Sequence, residues 1–260
     1  METGVAIFSL FASGAVRADM PDSKTFLDLE QAGYVFLDRI NTPLLYPLAT
    51  GKPFDAKLLL LIGRQDLPNN QQQIAGDLEL NDEFRRHAAL VQMQPFLDDR
   101  TSALKQAKGY IVPLNAQLGE YDFGKHRFPL HLSLLIQVPK SADSYHCSGA
   151  YEKVQNARVT VCVRTSNWNE HSSAFQYLVV DDENQAQQIK QQFQNNKVGF
   201  FFVIVPDGGL HSIANKRIQY GSFFDRTLIS SVQTARVLGL ILLDFSSGNI
   251  LISGSIHENN

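Results

Sequence analysis

The chain has 260 residues, 44% of them hydrophobic and 19% charged, with 23 Lys and Arg against 26 Asp and Glu. That composition excludes a disordered, collagen-like or coiled-coil chain. The formal net charge of −3 argues against a general nucleic-acid binder, which needs a basic surface to offset phosphate charge. The length fits one large or two small domains, either able to bury a core, and no apolar run reaches the roughly 18–20 residues of a spanning helix.

Taken in chain order, Gly4 to Val16 are apolar or small and uncharged, and Val16-Arg17-Ala18 then meets a polar start at Asp19. Short apolar core, small residues, then a polar proline-containing start is the grammar of a secretory signal peptide over 1–18. Two features depart from it: Met1-Glu2-Thr3 carries no cation, and Arg17 lies inside the cleavage motif. The competing reading buries the same residues as an N-terminal element of the fold. Cys147 and Cys162 are the chain's two cysteines, which fits one disulfide in an oxidising compartment or two thiols in a reducing one.

Residues 19–108 read as helical. Phe26, Leu29, Phe36, Leu37 and Ile40 predict a helix that Thr42-Pro43 ends, with a proline-punctuated loop over 42–53. Phe54 to Arg64 fits either strand or helix, and Asn69 to Gln73 reads as a polar linker. Asn81 is the expected N-cap of a helix whose apolar stripe is Phe84, Ala88 and Val91, running to Pro95. A second helix follows to Gly109.

Beyond Gly109 the period changes to two. Leu130, Leu132, Leu134, Ile136 and Val138 alternate with His131, Ser133, Leu135 and Gln137. Val159, Val161 and Val163 alternate likewise with Thr160, Cys162 and Arg164. These predict two neighbouring strands with a wetter face carrying His131, Ser133, Gln137, Thr160 and Arg164, the candidate binding surface. A third strand near 174–180, a helix over 183–195, a buried strand over 198–205 and a C-terminal hairpin turning at Ser246–Asn249 complete the region 109–260. The expected class is α+β: N-terminal helices, then a mostly antiparallel sheet with one packed helix.

Chemical signatures are sparse. The chain lacks a P-loop, a dinucleotide-binding glycine motif, a nucleophile elbow, a zinc-protease helix and a C-x-x-C pair. His126 and His131 stand at an odd spacing, which on a strand puts them on opposite faces. His146-Cys147 is a poor chelate, so no metal site is expected. Asp98-Asp99 and Asp181-Asp182 read as local helix electrostatics rather than acid–base pairs. Pro206-Asp207-Gly208-Gly209 reads as a hairpin turn. No catalytic residue, cofactor or metal emerges.

The strings Asn81-Asp82-Glu83-Phe84, Gly119-Glu120-Tyr121-Asp122-Phe123 and Phe128-Pro129 resemble those of uncharacterised exported proteins of Gram-negative bacteria. The resemblance spans roughly residues 80–260 and implies a periplasmic protein, with no catalytic residues to carry over. Together these readings lead to a non-enzymatic exported accessory or binding module of a bacterial cell envelope. Its expected partner is a protein or other envelope component, with no nucleic acid and no transmembrane segment. Two rivals stay open: a hydrolase pairing a histidine such as His131 or His211 with a serine, and an intracellular interaction domain. The predicted disulfide joins Cys147 to Cys162 across a loop that folds back.

Overall fold

A computed structural model describes residues 20–134, 136–137, 144–154, 157–219 and 226–255. The expected signal segment lies outside the described residues. Helix α1 (Phe26–Gln31) opens on a capping box, in which Thr25 accepts from the Asp28 N–H and Asp28 accepts from the Thr25 N–H. Gly33 then takes a φ of +93°, so the chain turns into strand β1 (Tyr34–Phe36) instead of continuing the predicted helix.

The supposed proline loop is helix α2 (Asn41–Thr50). Pro43 falls in its first turn, where the missing N–H costs nothing, so Thr42-Pro43 marks a beginning rather than an end. Helix α3 (Ala56–Ile62) settles the ambiguous segment as helical, and the polar linker is helix α4 (Asn69–Gly76). Helix α5 (Glu83–Gln106) is capped by Asp82, not Asn81, through its carboxylate and the N–H groups of Phe84 and Arg85. It runs through Pro95 as one helix. Pro95 sits on the exposed side of the helix, as does Val91, whose carbonyl it cannot bond.

The predicted stripe of α5 faces the wrong way. Phe84 is 80% and Val91 60% exposed, whereas Ala89, Met93, Leu97 and Leu104 are buried. Both sets have helical spacing, and only the neighbours choose between them.

The strands are β2 (Gly109–Leu118), β3 (Arg127–Leu134), β4 (Ile136–Gln137), β5 (Ser144–Cys147), β6 (Glu152–Val154), β7 (Ala157–Thr165), β8 (Tyr177–Val179), β9 (Val198–Gln219), β10 (Arg226–Asp244) and β11 (Ile250–Ser255). Helix α6 (Glu183–Gln194) lies between β8 and β9. The sheet runs β4-β5-β7-β10-β9-β2-β3-β8, with β1 on β2, β11 on β10 and β6 on β7. Pairing is antiparallel except for β7 on β10 and β1 on β2. The architecture is α+β, as the sequence predicts. One residue separates β3 from β4 in the chain, yet β4 stands at one end of this order and β3 next to the other end.

Strand β9 is apolar on both faces because both are covered. Phe200, Phe202 and Ile204 enter the core shared with α2 to α6, and Phe201 and Val203 pack with Leu29, Tyr34 and Ile111 on the other side. The N-terminal helices and the sheet therefore share one core: Leu44, Leu59 and Met93 belong to the same cluster as Val161 and Phe202. Pro206 to Gly209 does not make a hairpin turn. Leu210 pairs with Gln233 and Pro206 with Ala235, leaving three residues opposite one in a bulge. Gly208 supplies its φ of +90°, and its carbonyl accepts from Gln233 Nε2.

Candidate functional site

The strands that predict a common wet face do not provide one. Strand β5 stands between β4 and β7, so the two predicted strands are not neighbours. Thr160 is buried at 1% and Ser133 at 7% exposure, Arg164 is half-buried, and His131 alone of these four is exposed. Gln137 pairs in register with Ser144. Strand β7 is flanked by β5 and β6 on one edge and β10 on the other, and both of its faces are covered. Thr160 answers its burial by donating to the Ser148 carbonyl at 3.2 Å. Alternation records two faces, but a second covered face can carry small polar residues too.

His131 does mark a site. It lies opposite Gln117 in the β2–β3 ladder, and the two side chains line the floor of a cleft of about 430 Å³. The wall is the connection between β7 and β8, which contributes Trp168, Glu170, Ser172 and Phe175 to Tyr177. This connection is held at its root. Ser166 N–H donates to Ala235 O at 2.8 Å, and the Asn167 amide exchanges two hydrogen bonds with the Val237 backbone. Within it, Asn169 Oδ1 accepts from the His171 N–H and Ser172 Oγ from the Ala174 N–H, both local turn bonds.

Phe175 has a φ of 60°, a left-handed backbone that a bulky residue adopts only where its surroundings over-determine it. The next residue, Gln176, explains the constraint: its carbonyl accepts from the Leu130 N–H at 2.8 Å and fixes the wall to β3. Tyr177 then begins β8 and carries the Arg127 guanidinium 3.6 Å from its ring centroid.

The interior side of the wall is Trp168, 5% exposed and edge-on to Phe202 at 4.7 Å. Its indole N–H is buried and has no hydrogen-bond partner among the described residues. An orphaned donor of this kind costs free energy comparable to a lost hydrogen bond. The Glu170 side chain is 11% exposed, close to His171 at 4.0 Å.

His146 plays no part in the cleft. It is buried beside the disulfide, donating from Nε2 to the Leu37 carbonyl at 3.0 Å, and burial lowers its pKa to about 4. The Cys147–Cys162 disulfide joins residues directly opposite in the β5–β7 ladder, with Cα atoms 4.4 Å apart. No group of three or more His, Cys, Asp or Glu able to hold a metal occurs among the described residues. A second cleft of about 450 Å³ lies between α6 and the β2–β3 connection, beside Tyr121 and Phe123. There Lys190 already donates to the Gly119 carbonyl and to Glu120.

Sequence reasoning found His131 and missed the rest of the first cleft. Its signal was present: the chain's one tryptophan stands within Ser166-Asn167-Trp168-Asn169, among turn-forming residues where a core aromatic is not expected. No protein-family model, curated protein or solved structure matches the chain. Its function is read from its own residues.

Proposed function

We propose that this chain is a non-enzymatic exported module of a bacterial cell envelope that binds a component of that compartment through the Trp168 cleft. The observation that carries the reading is the cleft itself: a concave site with a wall pinned to β10 and β3 and an unpaired donor beneath its lining. Export is supported by the signal-like start and by the disulfide, since such bonds persist in oxidising compartments. Among the described residues no helix is long and apolar enough to cross a membrane.

The test uses protein isolated from its native host. The expected result is an intact mass that begins at Asp19 and contains no free thiol under denaturing, non-reducing conditions. A soluble chain that retains Met1 to Ala18, or that carries two free thiols, overturns export.

One observation favours a second reading, a hydrolase, because His131, Glu170 and Ser172 line the same cleft. Against it, no hydrogen bond joins Ser172 to His131, and the serine oxygen already accepts from Ala174. Turnover of activated esters that disappears in both His131→Ala and Ser172→Ala would establish the hydrolase.

A further inference from the structure

We infer that helix α5 is a self-association face, on which a second copy of this chain packs antiparallel about a two-fold axis at Gln92. The surface is the stripe that the core leaves unused. At about 100° per residue, Phe84, Ala88, Val91 and Pro95 fall within a sector about 60° wide. All four are exposed, and they lie opposite the buried Ala89, Met93, Leu97 and Leu104. An apolar row on the solvent side of a well-formed helix marks an interaction surface.

Charge names the occupant. The same angular arithmetic puts Arg85 and Asp99 on one flank of the stripe and His87 and Asp98 on the other, all of them exposed. In an antiparallel helix pair related by a two-fold axis, each flank meets the same flank of its partner, and every contact occurs twice. With the axis at Gln92, Arg85 stands level with the partner's Asp99, and His87 beside the partner's Asp98. Between these pairs Val91 packs on its own symmetry copy and Ala88 on the partner's Pro95. A parallel pairing would instead set Arg85 against its own copy and Asp99 against its own. The helix is complementary to itself reversed.

The individual groups suit this role. Arg85 donates to Asp77 at 2.7 Å, yet its side chain is 58% exposed and its guanidinium has donors to spare. The Asp99 carboxylate makes no hydrogen bond or ion pair among the described residues. At the axis, the Gln92 amide carries the donor that the Val91 carbonyl loses to Pro95. One helix face covers less than the roughly 800 Å² per partner of a standard interface, so the pair should form at tens of micromolar or above. Dilute chains are monomers, and altering the stripe weakens pairing without weakening their fold.

Sedimentation equilibrium of the full chain, its disulfide intact, from about 1 μM to 1 mM tests the inference. The average mass is expected to rise with concentration from one chain toward two. Val91→Asp should hold it at one chain throughout, with an unchanged circular dichroism spectrum. Arg85→Asp and Asp99→Arg should each weaken the dimer at least about tenfold, because each turns two attractions into repulsions. Asp99→Arg breaks no internal bond, so its effect reports on pairing alone. An equimolar mixture of these two variants again sets opposite charges at both contacts, and should dimerise within about threefold of wild type. A monomer at every concentration overturns the inference. So does a dimer that tolerates Val91→Asp, or a mixture that pairs no better than either variant alone. The pairing makes no use of the Trp168 cleft, so its failure leaves the binding-module reading as it stands.

Discussion

Asn167 and Val237 bind each other twice. Asn167 Nδ2–H donates to the Val237 carbonyl at 2.9 Å, and Asn167 Oδ1 accepts from the Val237 N–H at 2.8 Å. A side-chain amide thus takes the place of a neighbouring strand on β10 and fastens the cleft wall to the core. Asn167→Ala removes both bonds and leaves two backbone groups short of partners, at a cost of about 1–3 kcal/mol. Hydrogen exchange should rise at Val237 and across residues 166–176 more than in β9. Uniform protection in wild type and variant would show that the amide does not hold the wall.

The two stripes of α5 make opposite claims about stability. Met93 is 1% exposed inside the core, so Met93→Ala should cost about 2–5 kcal/mol. Phe84→Ser and Val91→Ser remove exposed side chains and should change stability by no more than about 0.5 kcal/mol. Chemical denaturation of the three variants decides the helix's phase, and a reversed ranking would restore the stripe expected from sequence.

The disulfide closes a separation of 15 residues, worth about 3 kcal/mol in the chain-entropy account. Replacing both cysteines with alanine should lower the denaturation midpoint accordingly. Because the ladder already brings Cys147 opposite Cys162, the variant should retain its circular dichroism spectrum at low denaturant. An unchanged midpoint would mean that the bridge adds nothing to a preformed strand pair.

Acid should weaken the fold through His146. Burial lowers its folded pKa from 6.5 to about 4, so the unfolded chain takes up a proton in that interval while the native chain does not. Its contribution is fully present above pH 6.5 and is lost as pH falls toward 4, by about 3 kcal/mol. Asp38, whose carboxyl burial pushes upward in pKa, acts in the opposite sense. Comparison with His146→Gln isolates the histidine: the variant should lose less stability than wild type between pH 6.5 and 4. Equal losses would place the acid sensitivity elsewhere.

Phe202 links the cleft to the core through its edge-on contact with Trp168. Phe202→Ala should cost about 3–5 kcal/mol and should shift the tryptophan emission to longer wavelength as water gains access to the ring. Emission that stays put in a folded Phe202→Ala variant would separate the two rings.

Much of the fold was legible in the sequence because local rules acted without rivals. The β-period after Gly109, the α6 helix, the turn between β10 and β11 and the Cys147–Cys162 bond all follow from alternation, capping acids, turn residues and a short closed loop. What failed had two local solutions. Pro43 can end a helix or begin one, Pro206 to Gly209 can turn a chain or bulge it, and α5 carries two apolar stripes. Thr160 and Ser133 alternate with leucines and valines as a solvent face would, yet covering elements bury them. Choosing between such pairs is a matter of which surfaces meet, and that is set by residues far apart in sequence. The cleft belongs to the same category. By itself the sequence determined an α+β chain and pointed to a Cys147–Cys162 bond; tertiary structure alone put that bond between two paired strands and brought His131 and Gln117 beneath Trp168 and Glu170, because pinning that wall needed the distant backbone of β3 and β10.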